Sequence, residues 1–171
     1  GIIDATVDRF GQVDMVINNA GLGMRPFSEN FMTERTKFWE ANIAQVQATF
    51  DTNTMGPFHM AAIAVPHMLK QGWGRIVNVS TSLITMQRRG YAPYGTSKWG
   101  VEGLTMIMAQ DLEDTDITVN ALLPGGATDT AMIPGQVGDK SRAGADGNLF
   151  EPVIMVPAIQ YLVSDLSNGK R

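Results

Sequence analysis

Cysteine is absent from the 171 residues, which excludes disulfides, thiolate metal centres and a cysteine nucleophile together. Only two histidines occur, His59 and His67, eight apart on one expected helix. They cannot build a histidine-rich metal site, and a structural role is expected for each; no metal is implied. Neither sign of charge dominates: the net charge is −4, and Lys and Arg are scattered without a basic stripe. That argues against nucleic acid as a partner. No long apolar run exists either. The most apolar stretch, residues 60–69, is too short to span a bilayer and is interrupted by Pro66 and His67. Neither a signal peptide nor a repeat, linker or low-complexity tract is visible. With 44% hydrophobic and 18% charged residues, residues 1–171 read as one globular domain.

What is present is an alternation of helical and strand patterns. Ile2, Ile3, Val7 and Phe10 keep a helical period that Gly11 ends. Residues 14–18 form a short apolar run that reads as a buried strand. Helices are expected over about 33–50 and 53–71, with a kink at Pro66 and a stop at Gly72. Residues 75–79 read as a second buried strand. A helix over about 93–112 follows, with Pro93 in its first turn and Val101, Leu104, Met108 and Leu112 facing the sheet. A third strand is expected over 118–123, then a Gly-rich, polar loop over 125–150. Pro152 opens a last helix with Val156, Ile159, Leu162 and Val163 inward.

Apolar strands alternating with long helices imply an α/β fold, a parallel sheet covered on both faces. Ligands bind such sheets at the carboxyl ends of the strands. Three segments fall there: residues 18–21, 80–82 and 124–130.

Tyr94 and Lys98 stand four apart on a helix and share a face. A phenol titrating near 10 is a poor base at neutral pH. An ammonium at ~4 Å and an effective dielectric of ~20 favours the phenolate by ~4 kcal/mol before desolvation, enough to make it useful in proton transfer. The bland alternative is a packed tyrosine beside a surface charge. Thirteen residues before Tyr94 is Thr81, flanked by Ser80 and Ser82, just past a strand. A hydroxyl there could steady a developing oxyanion, or the three could be an ordinary strand-end cluster. Asn53 fits a helix cap or an amide bonded to a neighbouring strand. Asn18, Asn19, Ala20 and Gly21 fit a tight turn or a ligand-facing loop without bulk, and Pro124-Gly125 allows the same two descriptions.

Taken in order, Asn18-Asn19-Ala20-Gly21, Asn53 in a helix, a strand ending in hydroxyls, Tyr94-x-x-x-Lys98 and Pro124-Gly125 resemble the short-chain dehydrogenase/reductase family. The resemblance runs from residue 1 to about 165. It implies a Rossmann-like, doubly wound parallel sheet and a cytoplasmic, NAD- or NADP-dependent oxidoreductase. Such an enzyme interconverts a small carbonyl compound and a secondary alcohol. By the resemblance, Tyr94 is the general acid/base, and Lys98 lowers its pKa and holds the nicotinamide ribose. Asn53 orders a proton-relaying water chain. Asn19, Ala20 and Gly21 line the adenosine-ribose side, while Pro124, Gly125, Ala127 and Thr128 flank the nicotinamide. The helices over 53–71 and 93–112 would form the interface of a homodimer or homotetramer.

Two departures stand out. The family places serine where this chain has Thr81; Ser82 is the preferred hydroxyl here, because a β-branched side chain is stiffer and harder to aim. The family's opening strand and glycine-rich phosphate turn have no counterpart, since no Gly-x-x-x-Gly-x-Gly occurs. The sheet is therefore expected to be incomplete, lacking the first βαβ units of a longer parent and a final strand. On that basis the chain itself could be an inactive fragment that at most packs against a partner. A dehydratase or epimerase on the same scaffold is a third possibility. Met132, Ile133 and Phe150 suggest only an apolar surface for substrate.

Overall fold

The computed structural model describes residues 1–139, 143–144 and 147–168. Three parallel strands, β1 (Met15–Asn18), β2 (Gly74–Val79) and β3 (Ile117–Leu122), lie in that order across one sheet. This is the α/β, Rossmann-like arrangement that the alternating pattern implied, with three strands. Val16, Ile76 and Val119 stand side by side in register, and all three are buried. Their face meets α1 (Ile2–Phe10) through Ile3 and α3 (Gly56–Gln71) through Ala61, Ala64 and Met68. Leu112, at the end of α5 (Ala92–Asp111), completes this core. Gly74 has to be glycine because a Cβ there would overlap the Met68 side chain, so α3 can approach β2 closely.

The opposite face carries α6 (Val156–Leu162), which packs on β2 and β3. Side chains alternate along a strand, so Arg75 leaves the sheet opposite to Ile76. It is fully buried, stacks 4.1 Å from the Trp73 ring, and bonds to the Asp116 carbonyl and the Asn168 side chain. Asp165 lies 3.6 Å away and supplies the countercharge. One arginine therefore ties the segment after α6 to the sheet.

Gly11 and Gly72 end their helices in the left-handed conformation, at φ 84° and 80°, as expected of both. The helix expected over 33–50 is shorter. Asn42 caps α2 (Ile43–Phe50) by accepting the Gln45 amide at 3.2 Å, and only a 3₁₀ turn at Phe38–Glu40 precedes it. The break expected before Asn53 is absent. A wide π turn at Asp51–Met55, closed by the Gly56 amide on the Asp51 carbonyl, joins α2 to α3. Pro66 lies within α3 without ending it. In the last helix, Ile159, Leu162 and Val163 are half-buried, but Val156 is exposed at 43% because a 3₁₀ turn at Pro152–Met155 turns it outward. Ahead of α6, Phe150 pairs with Ala127 and Asp129 backbone groups.

Candidate active site

All three strands run the same way, so their carboxyl ends open on one edge. Residues 18–21, 80–82 and 124–130 follow those ends. α5 lies behind them and supplies Tyr94 and Lys98, both buried. α4 (Leu83–Met86) fixes the start of α5: a Cβ on Gly95 would overlap the Met86 carbonyl, so glycine beside Tyr94 allows the two helices to touch.

The Lys98 ammonium donates to the Val79 carbonyl at 2.8 Å, at the end of β2. Burial pulls its pKa down from 10.5 to about 8, partly opposed by the charge of Glu102 one turn along. Tyr94 goes the other way. Burial raises the phenol above its ordinary value, the Tyr91 ring neighbour adds to this, and a hydrogen bond with Thr81 lowers it. The expectation that Lys98 draws the Tyr94 pKa down is thus not what this conformation displays. The ammonium is engaged with a backbone carbonyl, and desolvation dominates at the phenol. Near neutral pH, Tyr94 is a protonated donor.

Thr81 and Ser82 separate cleanly. Ser82 caps α4: its hydroxyl accepts the Thr85 amide at 3.3 Å and lies 3.0 Å from the Thr85 hydroxyl. Thr81 is the hydroxyl close enough to Tyr94 to oppose the rise of its pKa. Ser82 thus spends its side chain on the helix it starts.

Asn53 is buried in the π turn and is not a helix cap. Its Oδ1 accepts the Leu22 amide at 2.8 Å, and its Nδ2 donates to the Leu22 carbonyl and the Ser97 hydroxyl, each at 2.9 Å. One amide thus locks the loop after β1 to α5. Gly21 follows from this: a Cβ there would lie 3.4 Å from Asn53 Oδ1 and 3.8 Å from Lys98 Nζ. Asn19 and Ala20 are exposed beside it, at the mouth. On the far side, Gly125 takes φ 88°, which glycine adopts without strain, and Pro124, Ala127 and Thr128 are half-buried.

Several contributors escaped the sequence patterns. Asn18 donates to Asn78 at 2.8 Å and Asn78 to Thr105 at 2.9 Å, a polar ladder from β1 through β2 to α5. Ser97 bridges Asn53 to the Tyr94 carbonyl. Met24, Phe31 and Tyr91 pack around Tyr94. The Asn at each strand's polar end was the available signal for the ladder. Nothing local marks the others.

Residues 2–140 match the short chain dehydrogenase family, and the chain belongs to it. A short-chain type dehydrogenase/reductase of Picea abies is 31% identical over 168 residues, covering 96% of this chain and 59% of its own length. A D-beta-hydroxybutyrate dehydrogenase of Rhizobium meliloti is 33% identical over 135 residues, 79% of this chain and 48% of the relative. Among solved structures, a short chain dehydrogenase from Salmonella enterica serovar Typhi superposes with a TM-score of 0.77 at 25% identity, covering 99% of this chain and 64% of that one. An acetoin dehydrogenase from Salmonella typhimurium gives 0.74 at 27%, covering 97% and 63%. The chain thus spans about half to two thirds of the length of these proteins. Among the described residues, no helix is long and apolar enough to cross a membrane.

Proposed function

We propose that the chain carries the catalytic half of an NAD- or NADP-dependent oxidoreductase that interconverts a small carbonyl compound and a secondary alcohol. The observation carrying this reading is that Tyr94 and Lys98 are both buried one turn apart on α5, with Lys98 donating to Val79 at the carboxyl end of β2 and the Thr81 hydroxyl acting on Tyr94. Thr81 and Tyr94 would share a substrate carbonyl oxygen. Tyr94, held neutral by burial, would give that oxygen its proton as it gains charge.

A nicotinamide cofactor fits the residues present. Gly21 leaves open the space a Cβ would fill beside Lys98, and Lys98 spends one of its three N–H donors on Val79. Lys98 would hold ribose hydroxyls with the others. Asn19, Ala20 and Gly21 would line one side of the group, and Pro124, Gly125, Ala127 and Thr128 the other. When bound, the cofactor supplies or accepts the hydride, and the protein supplies orientation and charge. Asn53, by fixing Leu22, keeps Gly21 in place. Exposed Phe58 and Ile63 on α3 and Trp99 and Met106 on α5 support assembly of the full-length protein as a homodimer or homotetramer through these helices.

The test is Tyr94→Phe. Turnover of ketone and alcohol substrates should vanish while NADH or NADPH binding, read by nicotinamide fluorescence, persists. An active Phe variant refutes the acid/base role.

A further inference from the structure

The loop after β1 carries an arginine that the chemistry above leaves unused. Arg25 contacts Glu29 Oε2 through Nε at 3.1 Å and Nη2 at 2.8 Å, and its Nη1 donates to the Ala131 carbonyl at 2.8 Å. It lines a cleft of about 470 Å³, whose inner wall begins at Gly21. Two links join this cleft to the reacting groups. Gly21 borders Lys98, as its missing Cβ shows, and Met24, the residue before Arg25, packs in the cluster that holds Tyr94. Leu22, Pro26 and Met132 make much of the remaining wall apolar. Met132 presses on Gly23 so closely that a Cβ there would lie 2.6 Å from its Cγ.

The cleft thus has much of its wall apolar, carries the Arg25 guanidinium with Glu29, and at Gly21 borders the Lys98 ammonium. The guanidinium's partner is loosely held. Glu29 is an i,i+4 neighbour whose side chain is 69% exposed, against 37% for Arg25. Exposed pairs of this kind contribute little to stability. A planar fork of N–H donors matches a carboxylate, and a ligand carboxylate arriving along the cleft can take the place of Glu29.

We propose that Arg25 anchors a substrate carboxylate, so that the site takes an oxo acid or its hydroxy acid, with the carbon chain lying along Leu22, Pro26 and Met132. This rests on the assignment of Tyr94 and Lys98 to hydride-transfer chemistry. Arg25 itself positions the substrate and takes no part in the bond-making.

The probes are 4-oxopentanoate and 6-oxoheptanoate, each compared with its primary amide, titrated into the chain while the Arg25 Nε–H resonance is followed. For at least one length, the acid should bind about tenfold more tightly than the amide. Arg25→Met should reduce that preference to twofold or less, and Arg25→Lys should retain part of it. Glu29→Gln, which removes the competing carboxylate, should tighten acid binding about threefold and leave amide binding unchanged. That gain does not follow from a merely structural role, and it is readable even if Arg25→Met fails to fold. Equal binding of acid and amide, no binding of either, or no gain in Glu29→Gln overturns the proposal. So does a loss of NADH or NADPH binding in Arg25→Met, which would assign the guanidinium to cofactor phosphate. Because these are binding measurements, they stand apart from Tyr94→Phe turnover, and either result can fail without the other.

Discussion

Replacing Lys98 by methionine should make the protein more stable at neutral pH. A lysine titrating near 10.5 when unfolded and at about 8 when folded is one that folding prefers neutral. The penalty is fully present below pH 8, is relieved as pH rises from 8 to 10.5, and is gone above 10.5. The difference of about 2.5 pKa units corresponds to about 3 kcal/mol at pH 6.5, falling to about 1.5 kcal/mol at pH 9.5. Lys98 is 5% exposed, so solvent screening removes little of this. Methionine keeps most of the aliphatic length and loses the bond to the Val79 carbonyl, which costs about 1 kcal/mol. The net expectation is a gain of about 2 kcal/mol at pH 6.5 and near equality at pH 9.5. Urea melts of both proteins at the two pH values measure it, and taking the difference cancels the other titrating groups. A Lys98→Met variant less stable than the parent at pH 6.5, or a gap that does not change with pH, would refute the account of a buried ammonium held at a cost for function.

Four further substitutions separate roles that the sequence leaves merged. Thr81→Ala should lower turnover of the full-length protein by about 10²-fold or more. Ser82→Ala should cost only about 1 kcal/mol of stability through the lost cap of α4, with turnover little changed, and kcat with urea melts distinguishes the two. Asn53→Ala removes three hydrogen bonds and leaves the half-buried Leu22 amide and carbonyl without that partner, so the urea midpoint should fall by the equivalent of about 3 kcal/mol. Gly95→Ala must push α4 away from α5 and should cost about 2 kcal/mol or more, visible as a lower thermal midpoint.

Much of this protein is local and can be read along the chain. The apolar run Ile76-Val77 announces a strand buried on both faces, and Gly11 and Gly72 end helices because a left-handed residue must follow. Tyr94 and Lys98 share a helix face by spacing alone. The family follows from the order of such pieces, since five short patterns at set distances specify one chain path.

Only packing decided the rest. That Ser82 caps a helix turns on where α4 begins, which depends on how α4 meets Gly95. Asn53 joins Leu22, 31 residues away, to Ser97, 44 residues away, and no periodicity carries such a bond. Arg75 is charged in sequence and buried in fact, because Trp73, Asp165 and Asn168 converge on it from both ends of the sheet's crossover. The pKa values of Tyr94 and Lys98 diverge for the same reason: spacing sets which groups can be neighbours, but desolvation is a property of everything that surrounds them.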